Sequence, residues 1–311
     1  MSSVHNPSRS LEFGVVSVAG RRTLQGDHVT IDEPDVAVVV RPGEHACCRF
    51  AHAQDRLQVA SAFVRDALAR GHKVVYLCDG EDLDASAGAL AGGHDDVAAA
   101  LASGQFELRL ARATYAPDGR FDIERVLVAI REDRERALAD GYPALSITGE
   151  MAWARPHVPG SERLSEYERR FAEAMEGGEI VALCQYAHGE FEPATLAEVA
   201  GSHEVDLSPE LAPLARTQCL IGARVDGGRT LRLAGELDFA CADALATVLD
   251  GHFHDPLQLD LADLSYVDVA GMRAIRRHTG RPLTIAGASV SVRRMLGLLA
   301  WDTDPEVEVL A

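Results

Sequence analysis

Short apolar runs alternate with segments of helical periodicity along most of this 311-residue chain. Between residues 55 and 70 the apolar side chains recur every three or four positions, which predicts an amphipathic helix. Gly71 follows, where helices commonly end. The next run, Lys73–Cys78, is short and largely apolar, and is closed by Asp79 and Gly80, as is typical of a buried strand. A helix that leads into a buried strand is the repeating unit of a parallel α/β sheet.

The alternation continues with predicted strands at 106–110, 145–151 and 179–186 and predicted helices at 97–101, 121–139, 161–175 and 193–200. It predicts a three-layer α/β domain with a mostly parallel sheet over residues 42–206. Residues 1–41 form a partly irregular N-terminal segment, in which 13–18 and 36–40 are candidate strands. Residues 207–217 carry two prolines and break the alternation, so we interpret them as a linker.

A smaller α/β domain is predicted over residues 218–311. It begins with two strands, 220–225 and 230–233, joined by a hairpin signal, and continues with further strands and helices. Its most informative stretch is 257–272, where apolar and polar residues alternate as in a strand before the chain reaches Asp268, a favoured helix N-cap. Such a helix start on an exposed rim suits an anion, a phosphoryl group or a partner protein.

Composition excludes several classes of function. The formal net charge is −18, with 48 acidic against 30 basic residues, which argues against direct nucleic-acid binding and against electrostatic docking on a membrane. The sequence has no apolar run near the roughly 20 residues of a membrane span, and its first residues lack the apolar core of a secretory signal. Six dispersed cysteines indicate reduced, mostly buried thiols in a cytoplasmic protein.

Two motifs carry a resemblance in the second domain, Gly235-Glu236-Leu237-Asp238 and Tyr266-Val267-Asp268-Val269-Ala270-Gly271-Met272. With the predicted β-β-α-β-α-β-α order, residues 218–310 resemble the STAS domain of anti-sigma-factor antagonists. The resemblance implies docking on an anti-sigma factor or a related regulatory kinase through a rim formed by Gly235, Glu236, Asp238, Asp268, Val269, Ala270 and Gly271.

In that family the kinase phosphorylates a Ser or Thr directly after the motif's Asp, and the added charge breaks the complex. Here this position is Val269, which has no hydroxyl group. Since phosphorylation would add about −1.5 to −2 charges, an apolar residue keeps the rim in its uncharged form. The hypothesis is a permanently docking-competent STAS module that is regulated from elsewhere in the chain. The alternative is a STAS fold kept only for packing or dimerisation, and the sequence is compatible with a homodimer.

The first domain carries four motifs in order, Gly43-Glu44-His45-Ala46-Cys47, Thr148-Gly149-Glu150-Met151-Ala152-Trp153-Ala154, Glu166-Tyr167-Glu168 and Leu183-Cys184-Gln185-Tyr186. Residues 42–205 thereby resemble the MEDS sensory domain (methanogen/methylotroph, DcmR sensory), a family proposed to sense hydrocarbon derivatives. The resemblance implies a layout similar to RecA-like ATPases, in which a Gly-rich loop precedes the first helix. We expect that loop to begin at Gly43, but no Gly-Lys-Ser/Thr follows it, so nucleotide hydrolysis is not expected.

A sensor site is predicted at the carboxyl ends of the parallel strands, where α/β sheets usually bind ligands. The expected pocket takes a small apolar ligand among His45, Cys47, Glu150, Trp153, Cys184 and Tyr186. For Trp153 and Tyr186, core packing is an equally good interpretation. His45, Cys47, Cys48, Cys184 and His188 also invite a metal or haem interpretation, but none of the strong ligand spacings is present. We therefore assign no metal site and leave the cofactor open.

The sequence thus predicts a non-enzymatic signalling protein without catalytic residues, in which a small-molecule-sensing domain controls a STAS domain. Three alternatives remain open. The first domain could be a nucleotide- or cofactor-dependent enzyme, although no nucleophile–base pair stands at a useful spacing. It could be a haem- or metal-based sensor, or the protein could be a structural scaffold.

Overall fold

The computed structural model describes residues 40–310, except 176, 208–210, 216, 218, 253–256 and 278–281. The candidate strand at 13–18 and nearly all of the one at 36–40 therefore lie outside the described residues. The strands are β1 His45–Phe50, β2 Lys73–Cys78, β3 Phe106–Leu110, β4 Leu145–Glu150, β5 Ile180–Ala187, β6 Val205–Asp206, β7 Leu220–Val225, β8 Thr230–Leu237, β9 Leu257–Val267, β10 Leu283–Ala286 and β11 Val307–Val309.

The helices are α1 Ala53–Ala69, α2 Leu83–Ala91, α3 Asp95–Ser103, α4 Ala111–Tyr115, α5 Ile123–Ala139, α6 Leu164–Ala174, α7 Pro193–Gly201, α8 Ala212–Ala215, α9 Phe239–His252, α10 Val269–Arg276 and α11 Val290–Leu298. The strands form one sheet in the order β11-β10-β9-β8-β7-β6-β1-β5-β4-β2-β3. Only β7 runs antiparallel to its described neighbours, β6 and β8. The predicted mixed α/β fold with a mostly parallel sheet is confirmed.

Helices cover both faces of the N-terminal part of the sheet. Successive side chains of a strand point to opposite faces, so each face has its own set of apolar residues. On one face Cys47, Val75 and Cys184 share a core with α5, α6 and α7. On the other face the alternate residues Val74 and Tyr76 pack against α1, α2 and α3. The predicted three-layer arrangement follows from these two cores.

The C-terminal part of the sheet is covered differently on its two faces. Helices α9, α10 and α11 close one face over a core that includes Leu233, Leu259 and Ile285. The opposite face of β7 and β8 contributes apolar residues such as Ile221 and Ala234 to a core that also contains residues of α1 and β1. The two domains therefore share one sheet and part of one hydrophobic core.

One local expectation needs correction. The chain after Gly43 was expected to form a loop, but residues 45–50 form β1, which lies between β5 and β6 in the sheet. The connection from β1 to α1 is consequently only residues 51–52. Tertiary contacts decide this point, since β1 pairs with strands more than 130 residues later. In the predicted linker, the described leucines Leu207, Leu211 and Leu214 are all buried.

Candidate functional site

Four ionisable side chains are buried together between the N-terminal sheet and α6. His45 begins β1, Cys184 lies in β5, and the parallel register pairs His45 with Ala182, so both side chains point to the same face. Glu168 reaches the group from α6 and His203 from the residues between α7 and β6. None of the four side chains is appreciably exposed to solvent. We call this group the buried cluster.

Glu168 lies at the centre of the buried cluster. Its Oε2 atom is 3.3 Å from His45 Nε2 and 3.6 Å from His203 Nε2. The thiol of Cys184 lies 3.7 Å from the same oxygen and 3.4 Å from His45 Nε2. The hydroxyl group of Tyr186 donates a hydrogen bond to the other carboxylate oxygen. Four polar side chains thus converge on one buried carboxylate.

Burial controls the protonation of the cluster. It raises the pKa of Glu168 to about 7, because an ionised carboxylate is poorly solvated there. It lowers the pKa of His203 to about 4. Burial and the neighbouring His203 together hold the pKa of His45 well below its usual range. Both imidazoles are therefore neutral at pH 7, as they must be to act as metal ligands.

The structure does not bring all six predicted sensor residues together. Glu150 ends β4 on the opposite face of the sheet, where Arg56 Nη1 lies 2.6 Å from its Oε1 atom and Tyr76 donates to the same atom at 2.9 Å. His45 lies at the amino end of β1 rather than at the carboxyl edge of the sheet. Side-chain alternation therefore separates Glu150 from the other predicted pocket residues.

Trp153 and Cys47 share a hydrophobic core with Cys184 and Tyr186 but are not members of the buried cluster. The indole of Trp153 is 4% exposed and stacks on Tyr115 with the ring centroids 4.4 Å apart, so it closes the core. The thiol of Cys47 is 3.7 Å from Oδ1 of Asp206 in β6. Of the six residues, His45 and Cys184 belong to the buried cluster, and Tyr186 donates a hydrogen bond to it. Glu168 and His203 are the members that the sequence did not predict. Glu168 lay within a recognised motif, whereas His203 carried no local signal.

The predicted docking rim is built around Asp268. Its Oδ1 atom accepts a hydrogen bond from the backbone N–H of Gly271 at 2.8 Å, which confirms the predicted N-cap of α10. Its Oδ2 atom accepts one from the N–H of Phe239 at 3.1 Å, so one carboxylate joins the starts of α9 and α10. Gly235 is required nearby, because its φ is +96° and a Cβ would lie 2.3 Å from the carbonyl oxygen of Cys219.

Three large apolar side chains are exposed on this rim. Phe239 is 81% exposed, Tyr266 50% and Val269 41%. The residues next to them in the predicted docking set are acidic: Glu236 pairs with Tyr266 across β8 and β9, and Asp238 precedes Phe239. Phe239 was not among the predicted docking residues, although an aromatic side chain directly after the first motif was a usable signal.

A charged junction lies between the two domains. Arg232 in β8 is 5% exposed and donates to both carboxylate oxygens of Glu44, at 2.7 and 2.8 Å. Its Nε atom donates to Asp260 at 3.2 Å. Arg41 in turn bridges Asp260 and Asp263, with Nη2 at 2.9 and 2.8 Å from their carboxylates. These residues border a cavity of about 940 Å³ that residues of both domains line.

The larger domain thus contains a buried polar cluster, and the smaller one has a rim with three exposed large apolar side chains. Residues 44–204 match the family model described as "MEDS: MEthanogen/methylotroph, DcmR Sensory domain", and residues 223–310 match the one described as "Mlab, STAS domain". The first match spans just over half of the chain, so the chain belongs to the MEDS family. Both predicted resemblances are confirmed, and neither is a typical enzyme family.

Similar solved structures include two archaeal proteins. The flagellar accessory protein FlaH from Methanocaldococcus jannaschii is 12% identical, with a TM-score of 0.40, covering 60% of this chain and 79% of its own. The KaiC-like protein PH0186 from Pyrococcus horikoshii OT3 is 10% identical, with a TM-score of 0.40, covering 57% and 80%. No curated protein matches this sequence. Across the described part of the chain, no helix has both the length and the apolarity to cross a membrane.

Proposed function

We propose that this is a non-enzymatic signalling protein whose sensory domain controls how its STAS domain docks on an anti-sigma factor or a related regulatory kinase. The observation that carries the proposal is the exposed apolar rim formed by Phe239, Tyr266 and Val269. Large apolar side chains that stay exposed together are typical of protein-binding surfaces, and aromatic anchors contribute much of the energy of such interfaces.

The rim is held in a fixed shape, which favours docking over a flexible contact. Asp268 binds the backbone at the start of both α9 and α10, and Asp238 Oδ1 accepts from the N–H of Ala240 at 2.8 Å. Little conformational freedom is then lost on binding. The acidic residues beside the apolar patch suit a partner with a complementary basic surface.

Control of docking has to come from outside the rim, because Val269 offers no hydroxyl group for a phosphoryl transfer. A route exists through β6, which begins two residues after His203 in the buried cluster. β6 pairs with β1 of the sensory domain on one side and with β7 of the STAS domain on the other. A change in the cluster that moves β6 would therefore be carried into the STAS sheet.

The proposed setting is the cytoplasm, because all six cysteines are free and buried and thiols persist in a reducing compartment. The sequence suggested a small apolar ligand as the signal. Because the buried cluster is polar and closely packed, the chemistry of the signal is better sought in the donor atoms of that cluster.

The docking proposal is tested by immobilising the full chain and identifying the proteins it retains by mass spectrometry. We expect the native chain to retain an anti-sigma factor or a kinase. Val269→Asp and Phe239→Asp each place a charge in the apolar patch and should weaken retention about tenfold or more, in line with a hot-spot loss of about 1.4 kcal/mol or more.

Val290→Asp is the matched control, since Val290 is 86% exposed on α11 and outside the rim. It should leave retention unchanged. Equal recovery of the same partner by all four proteins would contradict the proposed docking surface. Retention of no regulatory protein by the native chain would remove the proposed partner class.

A further inference from the structure

We propose that His45, Glu168, Cys184 and His203 form a binding site for one divalent transition-metal ion, for which Zn²⁺ is the best match. Two imidazole nitrogens, one thiolate and one carboxylate are the donor types that Zn²⁺ prefers in proteins. These four donor atoms all lie within 4.8 Å of one another. The site goes beyond the docking function and does not depend on it.

The spacing of the donor atoms matches tetrahedral coordination. Metal–ligand bonds of about 2.0–2.3 Å place the ligands of a tetrahedral ion about 3.3–3.8 Å apart. The separations from His45 Nε2 are 3.3 Å to Glu168 Oε2 and 3.4 Å to Cys184 Sγ. Glu168 Oε2 is 3.6 Å from His203 Nε2 and 3.7 Å from Cys184 Sγ. These are four of the six separations among the donor atoms, and the other two are no longer than 4.8 Å.

Hydrogen bonding leaves a buried nitrogen free to bind a cation. The Nδ1 atom of His203 lies 2.7 Å from the carbonyl oxygen of Val199. Because a carbonyl can only accept, Nδ1 carries the proton and Nε2 has a lone pair. That Nε2 atom is buried, has no hydrogen-bond partner and faces Glu168. Metal-binding histidines show this pattern, with the far nitrogen donating to a carbonyl and the near one on the ion.

His45 is also unsatisfied by protein atoms alone. Its Nδ1 atom is buried without a hydrogen-bond partner, while Nε2 faces the Cys184 thiol and the Glu168 carboxylate. No tautomer of this imidazole satisfies both of its nitrogens. Buried polar atoms without partners are uncommon in folded proteins, and the one that faces the cluster is Nε2 of His203.

Charge balance favours a divalent ion over a proton-only network. A divalent cation with one thiolate and one carboxylate is electrically neutral, and a buried site tolerates neutrality far better than a net charge. Tyr186 would hold the second carboxylate oxygen of Glu168 through its hydroxyl group, and so orient a ligand from outside the coordination sphere.

An acidic cavity lies beside the aromatic pair of Tyr186 and Phe191. Phe191 packs edge-on against Tyr186 with the ring centroids 5.5 Å apart. Phe191 also lines a cavity of about 290 Å³ whose wall includes Glu162, Glu190, Glu192 and Glu198. Such a wall raises the local concentration of cations, one side chain away from the proposed ligands.

The test uses the full chain, stripped of metal with a chelator and titrated with Zn²⁺ or Co²⁺. We expect one ion per chain, a higher melting temperature with Zn²⁺ and, with Co²⁺, a thiolate-to-cobalt charge-transfer band with visible absorption typical of tetrahedral cobalt. Cys184→Ser should abolish the charge-transfer band. Tyr186→Phe should keep the band and weaken metal affinity about 10- to 100-fold.

Cys48→Ala and His188→Ala are the matched controls, because Cys48 lies on the opposite face of β1 and His188 is exposed. Both should bind metal as the native chain does. A native chain that binds neither ion and shows no change in melting temperature would overturn the proposal. A charge-transfer band that survives in Cys184→Ser would also overturn it. Should Cys184→Ser fail to fold, X-ray absorption of the native zinc form decides, since absence of a sulfur ligand would exclude the site.

Discussion

Replacing Arg232 by methionine should destabilise both domains of the protein at once. Arg232 donates two hydrogen bonds to Glu44 and one to Asp260 across the domain junction. Methionine keeps most of the side-chain volume and removes the charge, so the two carboxylates would lose this partner. Breaking a fully buried ion pair costs about 3–5 kcal/mol. The Glu44 and Asp260 side chains are 22% and 14% exposed. We therefore expect Arg232→Met to lower the free energy of unfolding by about 2–3 kcal/mol.

The two tryptophans allow each domain to be followed separately. Trp153 lies in the sensory domain and Trp301 in the STAS domain, and both are buried. Changing one of them to phenylalanine leaves a single fluorescent reporter, and urea unfolding then gives the midpoint and slope for its domain. Because the domains share a sheet and a core, both reporters should give the same midpoint in the parent chain. Arg232→Met should lower both midpoints together.

Arg163→Met is the matched control for this experiment. Arg163 also donates two hydrogen bonds to one carboxylate, that of Glu166, at 2.9 and 2.8 Å. These two side chains, however, are 51% and 37% exposed. A surface pair of this kind contributes little to stability, because solvent and salt screen the two charges. If Arg232→Met lowered the free energy of unfolding no more than Arg163→Met does, burial would not strengthen the ion pairs at the junction. A loss confined to Trp301 would show that the junction does not couple the domains.

Three further substitutions probe the docking rim. Gly235→Ala should lower the free energy of unfolding by about 2 kcal/mol or more, because a Cβ there meets the Cys219 carbonyl at positive φ. Gly251→Ala is the control in an open helical position and should raise it by about 0.5–1 kcal/mol. Thermal melts of the two variants test the difference. Asp268→Ala removes the helix N-cap and should lower the free energy of unfolding by about 1–2 kcal/mol, measured by urea unfolding. A change below about 0.3 kcal/mol would contradict the role of this cap. The partner kinase should phosphorylate Val269→Ser with ATP and then release it, whereas the native chain should remain unmodified and bound. Mass spectrometry of both proteins tests this.

Local sequence was sufficient wherever the structure depends on neighbouring residues. The buried strand Lys73–Cys78 was predicted at its observed bounds, and the predicted strand at 106–110 was as well. Asp268 was predicted as an N-cap and binds the N–H three residues later, since a cap is made within one turn of chain. The paired motifs around Gly235 and Asp268 identified the STAS domain for the same reason.

The buried cluster shows the limit of such reasoning. His45 and Cys184 were singled out by residue type, but Glu168 and His203 were not, because the contacts that join them connect residues up to 158 positions apart in the chain. Glu150 was grouped with them because it also ends a strand. Only the register of β4 and β5, which pairs Glu150 with Gln185 rather than Cys184, puts it on the other face.

The sequence by itself determined many of the strands and helices, although not β1, as well as the families of the two domains and the absence of a phosphorylatable hydroxyl group at Val269. These follow from local periodicity, short motifs and the chemistry of single side chains. The tertiary structure alone decided that β6 joins both domains in one sheet, that Arg232 closes their junction, and that two histidines, a cysteine and a glutamate meet in the core. Each of those depends on strand order and on which face a side chain takes, and distant segments fix both only when they pack.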